Sequence, residues 1–453
     1  MPEAVPNEAT EKEIHNLNVA LEDNRLSVVE RMINAMPAAE IALFLESLPA
    51  DKRTKVWDLV GSEHCGEILV HLHDEVRSSL IAKMENQELV SATSNLELDD
   101  LADIILDLPK EVTDELLLSM DKNNRELLRR VLSYPENSAG GLMNPDVITI
   151  RPDVTIDVVL RYIRMRGKLP KPLGDLFAVG RNGHYRGRLD VNDLLLKDPK
   201  TKVADILDLK SPAIQAKTPA SEVAQDFEHH DWISAPVVDE SNTLIGRITV
   251  DDIVDVIREE SEHSVMRMAG LDGEDDMFAP VLISSKRRAI WLGINLLTAL
   301  VAAYAIGFFT VALEQIVALA ILMPVVASMG GIAGSQTLTL MIRGMATGQV
   351  GLGNAKHLLY REFSISIFNS FIWALVLAGI TFLWFKEWNI GLVIAMALTI
   401  NLIAGAIAGV LVPLILRRLS IDPAIAGGVV LTTVTDIVGY VSFLGLASVY
   451  LIN

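Results

Sequence analysis

The chain has 453 residues, a formal net charge of −19 and one cysteine, Cys65, which excludes an intrachain disulfide. Without CxxC or HxxxH spacing, the usual zinc and redox sites are excluded as well. Residues before Lys286 hold 30 Lys plus Arg and 53 Asp plus Glu, whereas the rest of the chain holds 9 and 5. The acidic first part does not suit nucleic acid or an anionic membrane surface. It suits cations, or it is a solvated acidic surface with no particular partner.

Residues 1–135 are predicted to form short amphipathic helices separated by Pro and Asn. No basic region followed by an apolar run opens the chain, so we expect no cleavable signal and a cytosolic N-terminus. AEIALFLESLP (39–49) and DDLADIILDLP (99–109) share apolar positions and a closing Leu-Pro, and GEILVHLH (66–73) is a weaker copy. We therefore predict a helical repeat in which each helix pair buries its apolar stripe on the next.

Two β/α modules are predicted at 136–200 and 201–257. DVITIRPDVTIDVVLRYIR indicates a strand and an amphipathic helix, and DLFAVGRNGHYRGRLDVNDLL indicates two strands about an Asn-Gly turn and a further helix. The same order returns from Val203. This duplication resembles a tandem pair of cystathionine β-synthase (CBS) modules, most closely in SAPVVDESNTLIGRITVDDI. The resemblance places Thr249 and Asp252 near an adenosine ribose, which makes ATP a candidate regulator, although a Thr-x-x-Asp helix cap explains the same residues.

An acidic linker helix is predicted at 258–285, before Lys286-Arg287-Arg288. Its carboxylates and those on preceding elements would repel the acids of a neighbouring domain or subunit, and cations would lower that repulsion. For the acids at 99–107, a solvated acidic helix start is the favoured explanation. The candidate cytosolic sensor residues for a metal ion are Asp99, Asp100, Asp103, Glu222, Asp231, Asp252, Asp255, Glu259 and Glu260.

Residues 286–453 contain five apolar segments long enough to span about 30 Å of hydrocarbon. They are Ala289–Phe309, Gln315–Ile342, Phe363–Phe385, Asn389–Leu416 and Pro423–Ile452. Basic residues flank these segments consistently on one side. This pattern predicts a multi-pass protein of a bacterial-type plasma (inner) membrane, with a cytosolic N-terminus and an external C-terminus.

The second segment is unusual, because Pro324 is expected to break its backbone and MGGIAGSQTLT (329–339) carries three glycines and polar side chains at membrane depth. Such a segment lines a cavity or packs closely through its small residues, and we favour pore lining. The candidate pore-lining residues are Pro324, Gly330, Gly331, Gly334, Ser335, Gln336, Asn401, Thr432 and Thr433.

Asp436 is a carboxylate about halfway along the fifth segment. Burying it in lipid costs at least ~2.5–3.5 kcal/mol, and the central parts of the apolar segments hold no Lys or Arg that could neutralise it. We therefore predict a wet path for a passing cation, against the alternative of a protonated Asp bonded to Asn401 or Ser328. Mg²⁺ fits, because it is commonly held through one or two carboxylates with waters retained, and a dimer axis would pair two Asp436 side chains.

The chain as a whole resembles the MgtE-type magnesium channels. The resemblance is carried by SAGGLM (138–143), TVDDIVDVI (249–257), the Pro-to-Gln run from Pro324 to Gln336, and IDPAIAGGVVLTTVTDIVG (421–439). It implies a multi-domain α plus α/β membrane protein that forms a homodimer in the lipid bilayer. In such a channel, plentiful Mg²⁺ binds the cytosolic acids and holds the linker (plug) helix closed over a pore whose ion-binding residue is Asp436.

No enzyme is expected, because the sequence has neither a GxxxxGK[ST] phosphate loop nor a DKTG motif, and the membrane potential suffices for uptake. Ile332, Ser335 and Gly428-Val429 depart from the Asn-rich pattern of the family, which leaves Mn²⁺, Co²⁺ and Ni²⁺ passage open. The competing hypotheses are a broader divalent-cation carrier coupled to Na⁺ or H⁺ and a CBS-regulated membrane sensor without transport. An anion channel is disfavoured by the unpaired Asp436.

Overall fold

The structure, a computed structural model, describes residues 8–62, 64–94, 96–167, 174–271, 276–351, 353–419 and 421–452. Residues 1–7 of the predicted helical repeat and 272–275 of the predicted linker lie outside the described residues. The chain divides into two units. The first unit comprises Met1–Glu262 with Glu274–Pro280, and the second comprises His263–Gly273 with Val281–Asn453.

The first unit opens with a stack of short α-helices. These are α1 Glu8–Glu22, α2 Leu26–Ile33, α3 Ala38–Glu46, α4 Ala50–Trp57, α5 Cys65–Val70, α6 Asp74–Ile81, α7 Asn86–Thr93, α8 Leu98–Ile105, α9 Lys110–Ser119 and α10 Lys122–Val131. The repeated sequences form equivalent pairs, because α3 and α8 each end before a Leu-Pro whose proline directly precedes the next helix. The predicted helical fold is confirmed here. Its apolar core includes Phe44, Ile68 and Leu80 and continues to Ile248 of the second β/α module.

The two β/α modules repeat one topology. Their elements are α11 Ala139–Leu142, β1 Thr149–Ile150, α12 Ile156–Arg166, β2 Asp175–Val179, β3 Tyr185–Asp190, α13 Val191–Leu196, β4 Ile214–Gln215, α14 Ala220–His230, β5 Ser234–Val238, β6 Leu244–Thr249 and α15 Val250–Met268. In each three-stranded sheet the first pair of strands is parallel and the second is antiparallel. Both antiparallel pairs are irregular at the same place, Ala178/Val179 and Val237/Val238. The predicted duplication is therefore confirmed in detail.

The predicted linker is not a separate helix. Helix α15 begins at Val250, inside the second module, and ends at Met268, because Gly270 takes a positive φ of 73°. A Cβ at Gly270 would lie 2.1 Å from Nε1 of Trp291, so a larger residue does not fit at this turn.

The part of the predicted linker from Asp276 onward is anchored on the helical stack by a buried ion pair. Arg53, 1% exposed, donates from Nη1 and Nη2 to the two carboxylate oxygens of Asp276, at 2.9 and 3.0 Å. Arg53 also donates to the carbonyls of Leu45 and Leu48, and the Asp276 N–H donates to Glu75 Oε2 at 2.7 Å. Asp276 therefore fixes residues 276–280, which belong to the first unit, on the helical stack.

The second unit is built from long apolar helices. They are α16 Val281–Gly307, α18 Val317–Ala346, α19 Ala355–Phe385, α20 Trp388–Arg418 and α21 Pro423–Leu451, with a short α17 Thr310–Gln315. The five long helices have the length and composition to cross a membrane, as predicted. Helices α16 and α19 each start eight residues before the predicted apolar segment. Hydropathy marks hydrocarbon depth, whereas a helix continues through its charged ends, where Lys and Arg reach water.

Helix α18 corrects the prediction of a break at Pro324. The helix is continuous from Val317 to Ala346 with Pro324 inside it. A proline removes one backbone donor and does not end a membrane helix whose neighbours pack closely around it. The expected irregular backbone is therefore absent from this described helix.

Candidate functional site

Asp436 lies at the middle of α21, 13 residues after Pro423. Its side chain is partly exposed, and Thr432 and Thr433 precede it by one helical turn on the same side. Both hydroxyls donate to carbonyls of their own helix, Gly428 O at 2.8 Å and Val429 O at 2.7 Å. The lone pairs on these hydroxyls stay available beside the carboxylate.

Asp436 has no hydrogen bond or ion pair with any of the residues that the structure describes. The alternative of a bond to Asn401 or Ser328 is thus not seen in this chain. Asn401 instead donates from Nδ2 to Val326 O at 2.8 Å and is fully buried. An ionisable group at mid-membrane is favoured beside protein or water and disfavoured beside lipid.

Three of the predicted pore-lining residues lie at buried positions. Gly330, Gly334 and Asn401 are buried between helices of one chain. A Cβ at Gly330 would lie 2.1 Å from Asn401 Nδ2, and one at Gly405 would lie 2.6 Å from Gly330 O. Gly330 and Gly405 therefore allow α18 to pack closely on α20. A pore-lining role for Gly330, Gly334 and Asn401 stays a prediction.

The other pore-lining candidates lie at more open positions. Ser335, Gln336, Pro324 and Thr432 are exposed, and Thr433 and Gly331 are partly exposed. Gly331 faces α21, since a Cβ built on it would lie 3.8 Å from Thr435 Oγ1. A role for these residues beside a passage remains a prediction.

Sequence reasoning missed Glu362, which is 6% exposed and lines a pocket of about 170 Å³ between α18, α19 and α20. Its lining residues are Ala333, Gln336, Thr337, Leu340, Arg361, Glu362, Ile365, Ser366, Asn369, Leu402 and Ala406. In the sequence, Glu362 follows Arg361 and directly precedes the third apolar segment, so it resembles the charged residues that normally flank a membrane span. The signal that could have found it is helical spacing, because Glu362, Ser366, Asn369 and Ser370 share one face of α19.

A second group of acids lies in the first unit, where α8 meets the start of α15. We call it the acidic cluster: Glu97, Asp99, Asp100, Asp103, Asp251 and Asp252. Burial first, and then the mutual repulsion of these carboxylates, raises the pKa of Asp99 to about 6, of Asp100 and Asp103 to about 7, and of Asp252 to about 8.

Two guanidinium groups offset part of this charge. Arg247 is buried beside Asp99 and Asp252, and Arg77 pairs with Asp74 and Asp107 near Asp103. No three acidic, His or Cys side chains among the described residues converge closely enough to hold a metal ion. The acidic cluster is therefore a region of excess negative charge and not a preformed coordination site.

The remaining sensor candidates do not join the acidic cluster. Asp255 pairs with Arg258 at 3.4 Å, and Glu259 and Glu260 are exposed further along α15. Glu222 and Asp231 are exposed at opposite ends of α14, roughly 13 Å apart along its axis. Five of the nine predicted sensor residues thus lie apart from the four at Asp99, Asp100, Asp103 and Asp252.

These shifts predict how pH acts on the stability of the first unit. A raised pKa in the folded state stabilises the fold below the unfolded value, near 4, and this stability is lost as pH rises through 6 to 8. Without Mg²⁺, thermal unfolding of the full chain in detergent is expected at a lower temperature at pH 8.5 than at pH 5.5. Added Mg²⁺ should raise the midpoint more at pH 8.5, because protons no longer compete for the carboxylates.

The matched control is Asp100→Asn with Asp103→Asn, in which both the pH dependence and the Mg²⁺ effect should shrink. Unfolding temperatures that rise with pH, or a Mg²⁺ effect of equal size at both pH values, would contradict a cation-sensitive cluster.

Thr249 and Asp252 form the predicted helix cap. Asp252 Oδ2 accepts from the Thr249 backbone N–H at 3.1 Å and from Thr249 Oγ1 at 3.0 Å, at the start of α15. The cap accounts for both residues without a nucleotide. ATP binding at these residues remains a prediction.

The last turn of α15 and the first turn of α21 are linked inside the second unit. Asp422 accepts from the Ala424 N–H at 2.8 Å and so caps α21, the helix that carries Asp436. The same carboxylate takes Arg267 Nη1 at 3.4 Å, and Arg267 also contacts His263. Asp422 therefore connects α15 to the helix of the candidate ion site.

Family models match three parts of the chain. The MgtE intracellular N domain matches residues 36–137, the CBS domain matches 139–199 and 203–259, and MgtE, described as a divalent cation transporter, matches 323–446.

Two relatives named magnesium transporter MgtE align along nearly the whole chain. The protein of Bacillus subtilis (strain 168) is 28% identical and covers 99% of both chains. That of Thermus thermophilus is 28% identical over 97% of this chain and 99% of its own. A crystal structure of the cytosolic domain of the Mg²⁺ channel MgtE with ATP is 28% identical, covers 54% of this chain and 99% of that chain, and has a TM-score of 0.48.

Proposed function

The chain belongs to the MgtE-type transporters, and we propose that it conducts Mg²⁺ into the cell through a passage whose ion site is Asp436. The observation that carries this proposal is the position of Asp436. It is a carboxylate at the middle of a membrane helix, on a partly open side, without a hydrogen bond or ion pair to any of the described residues. A cation with retained waters is the species that such a group would hold.

The passage is proposed to lie between two copies of the chain. One protomer supplies one carboxylate with Thr432 and Thr433 beside it, which is half of a ring. A twofold axis next to this side of α21 would place two Asp436 carboxylates around one hydrated ion and would cover the open face of the helix. A homodimer in the bilayer therefore supplies both the charge and the shielding that the single chain lacks.

The driving force is proposed to be the membrane potential. A divalent cation that enters a cell with a negative interior gains about 2 × 2.3 kcal/mol per 100 mV. The basic flanks of the spans support a cytosolic N-terminus and an external C-terminus, so the ion would move toward the acidic first unit. No coupled ion is needed for this direction of transport.

Gating is proposed to depend on the acidic cluster. Its carboxylates repel one another when no cation is near, and Mg²⁺ would lower that repulsion and favour the arrangement in which α8 and the start of α15 stay together. Helix α15 continues from this contact to Met268, and its residues from His263 onward belong to the second unit. High cytosolic Mg²⁺ would thereby hold the passage closed. ATP bound at the CBS modules is a further proposed regulator.

Flux into vesicles tests the proposal. We expect the purified chain in liposomes that contain a Mg²⁺ dye to admit Mg²⁺ when a K⁺ diffusion potential makes the interior negative, with no Na⁺ or H⁺ gradient. Uptake that requires such a gradient would indicate the coupled carrier instead. Absence of uptake in both conditions would indicate a membrane sensor, and equal Mn²⁺, Co²⁺ or Ni²⁺ entry would indicate the broader divalent passage.

A further inference from the structure

Helices α18, α19 and α20 enclose a polar pocket that does not include any residue of α21. We propose that this pocket, here called the Glu362 pocket, is a second cation site within each protomer. Its ligand class is a hard cation that is held by oxygen atoms, namely Mg²⁺ with part of its water shell or Na⁺. The inference rests on the proposed function in one respect, that the membrane unit admits cations.

The charge of the pocket comes from Glu362, a carboxylate that is 6% exposed. Its Oε1 accepts from Arg361 Nη1 at 2.7 Å and its Oε2 accepts from Thr337 Oγ1 at 3.2 Å. A carboxylate offers about four lone-pair positions, so acceptor capacity remains on both oxygens. The Arg361 side chain is 57% exposed, so its ion pair with Glu362 is weaker than a pair with a buried guanidinium.

Ser366 provides the independent sign of a ligand. It lies one turn after Glu362, lines the pocket, is 6% exposed, and its Oγ has no hydrogen-bond partner among the described residues. A buried polar group without a partner costs about 1–3 kcal/mol, so an occupant that contacts Ser366 Oγ is favoured. The amides of Gln336 and Asn369 lie at the more exposed edge of the same pocket.

The polar atoms of the pocket decide the class of ligand. Apart from the Arg361 guanidinium, they are carboxylate, hydroxyl and amide groups, and His, Cys and Lys do not occur in the lining. Oxygen donors of this kind hold Mg²⁺ and other hard cations and do not select soft metals. An anion would be repelled by Glu362, and an apolar ligand would leave Ser366 and Glu362 unsatisfied.

Cation-dependent protection of an introduced thiol tests the site. The single native cysteine, buried Cys65, is replaced by Ala, and Leu340→Cys at the pocket wall serves as the reporter in the full chain in detergent. Its rate of modification by a small neutral methanethiosulfonate is compared in MgCl₂, NaCl and N-methylglucamine chloride at equal ionic strength. At ten times its Kd a bound cation should slow the reaction about tenfold, and the salt that does so identifies the ion.

Four matched variants separate ion binding in the Glu362 pocket from nonspecific salt effects and from events at Asp436. Phe371→Cys, an exposed position outside the pocket, should react at the same rate in all salts. Adding Glu362→Gln or Ser366→Ala to the Leu340→Cys reporter should remove or weaken the protection. Adding Asp436→Asn should leave the protection intact, since that residue belongs to the proposed passage, and a failure of that passage is measured separately by flux.

Equal rates in all three salts would overturn the proposal, and the pocket would then hold water alone. Protection that survives both Glu362→Gln and Ser366→Ala would overturn it as well, because the cation would then act from elsewhere.

Discussion

Replacing Asp436 by asparagine is expected to abolish most Mg²⁺ uptake into liposomes while leaving the fold intact. Asparagine has nearly the same size, and Asp436 makes no bond with the described residues whose loss would destabilise α21. In the proposed passage, the substitution removes the charge that offsets dehydration of the ion. An interaction with a charged group is worth about 1.5–3 kcal/mol, so a tenfold to hundredfold loss of flux per carboxylate is expected, with two carboxylates in the proposed dimer.

The matched control is Glu387→Gln, which removes an exposed carboxylate just before α20 and should leave flux unchanged. Asp436→Glu restores the charge with a longer side chain and should recover part of the flux. Normal Mg²⁺ entry through Asp436→Asn would remove the ion site from this residue and, with it, the proposed passage. Equal thermal unfolding of all three variants is required before the rates are compared.

Replacing Arg53 by methionine is expected to destabilise the first unit by about 3–5 kcal/mol, the usual result of removing one partner of a buried ion pair. Methionine fills similar space but leaves the Asp276 carboxylate and the carbonyls of Leu45 and Leu48 without their donor. The free energy of unfolding is measured by urea titration of the full chain in detergent. Protease cleavage within 276–280 reports release of the segment itself.

Lys52→Met is the matched control, because Lys52 is a neighbouring basic residue whose side chain is 38% exposed and pairs with Glu22 only at 3.5 Å. Its effect should stay within about 0.5 kcal/mol. The double variant Arg53→Met with Asp276→Leu should be more stable than Arg53→Met alone, since no buried charge is left unpaired. Equal stability of Arg53→Met and Lys52→Met would show that the pair does not hold the segment.

The elements that the sequence predicted well are those with a local periodic signal. The Leu-Pro echoes located α3 and α8, and the repeated strand pattern predicted two equivalent sheets. The length of the apolar segments predicted the five spans. Asp436 was predicted as an ion site because it is the one acidic residue within the fifth segment. In each case the pattern lies within a few turns or strands of a single segment, where side-chain spacing follows directly from backbone geometry.

The features that could not be predicted depend on residues far apart in the chain. Arg53 and Asp276 are 223 positions apart, and the acidic cluster joins α8 to α15 through the docking of one domain on another. Glu362 was missed because hydropathy places a charged residue outside a span, although the helix carries it inward beside Thr337. The prediction that Pro324 breaks its helix was wrong, because α18 is continuous through it. Neighbouring helices pack closely against α18 at Gly330 and Gly405, and such packing tolerates a proline inside a membrane helix.

Helix α15 is continuous, so a rotation of its first turn also moves its last turn. Asp252 lies in its first turn and Arg267 in its last, roughly 22 Å further along the axis. In the proposed gating, a tilt of about 10° at the first turn would displace Arg267 by roughly 4 Å, enough to part it from Asp422, to which it donates at 3.4 Å. Movement of the carboxylates in the acidic cluster would then change the contact that holds the start of α21.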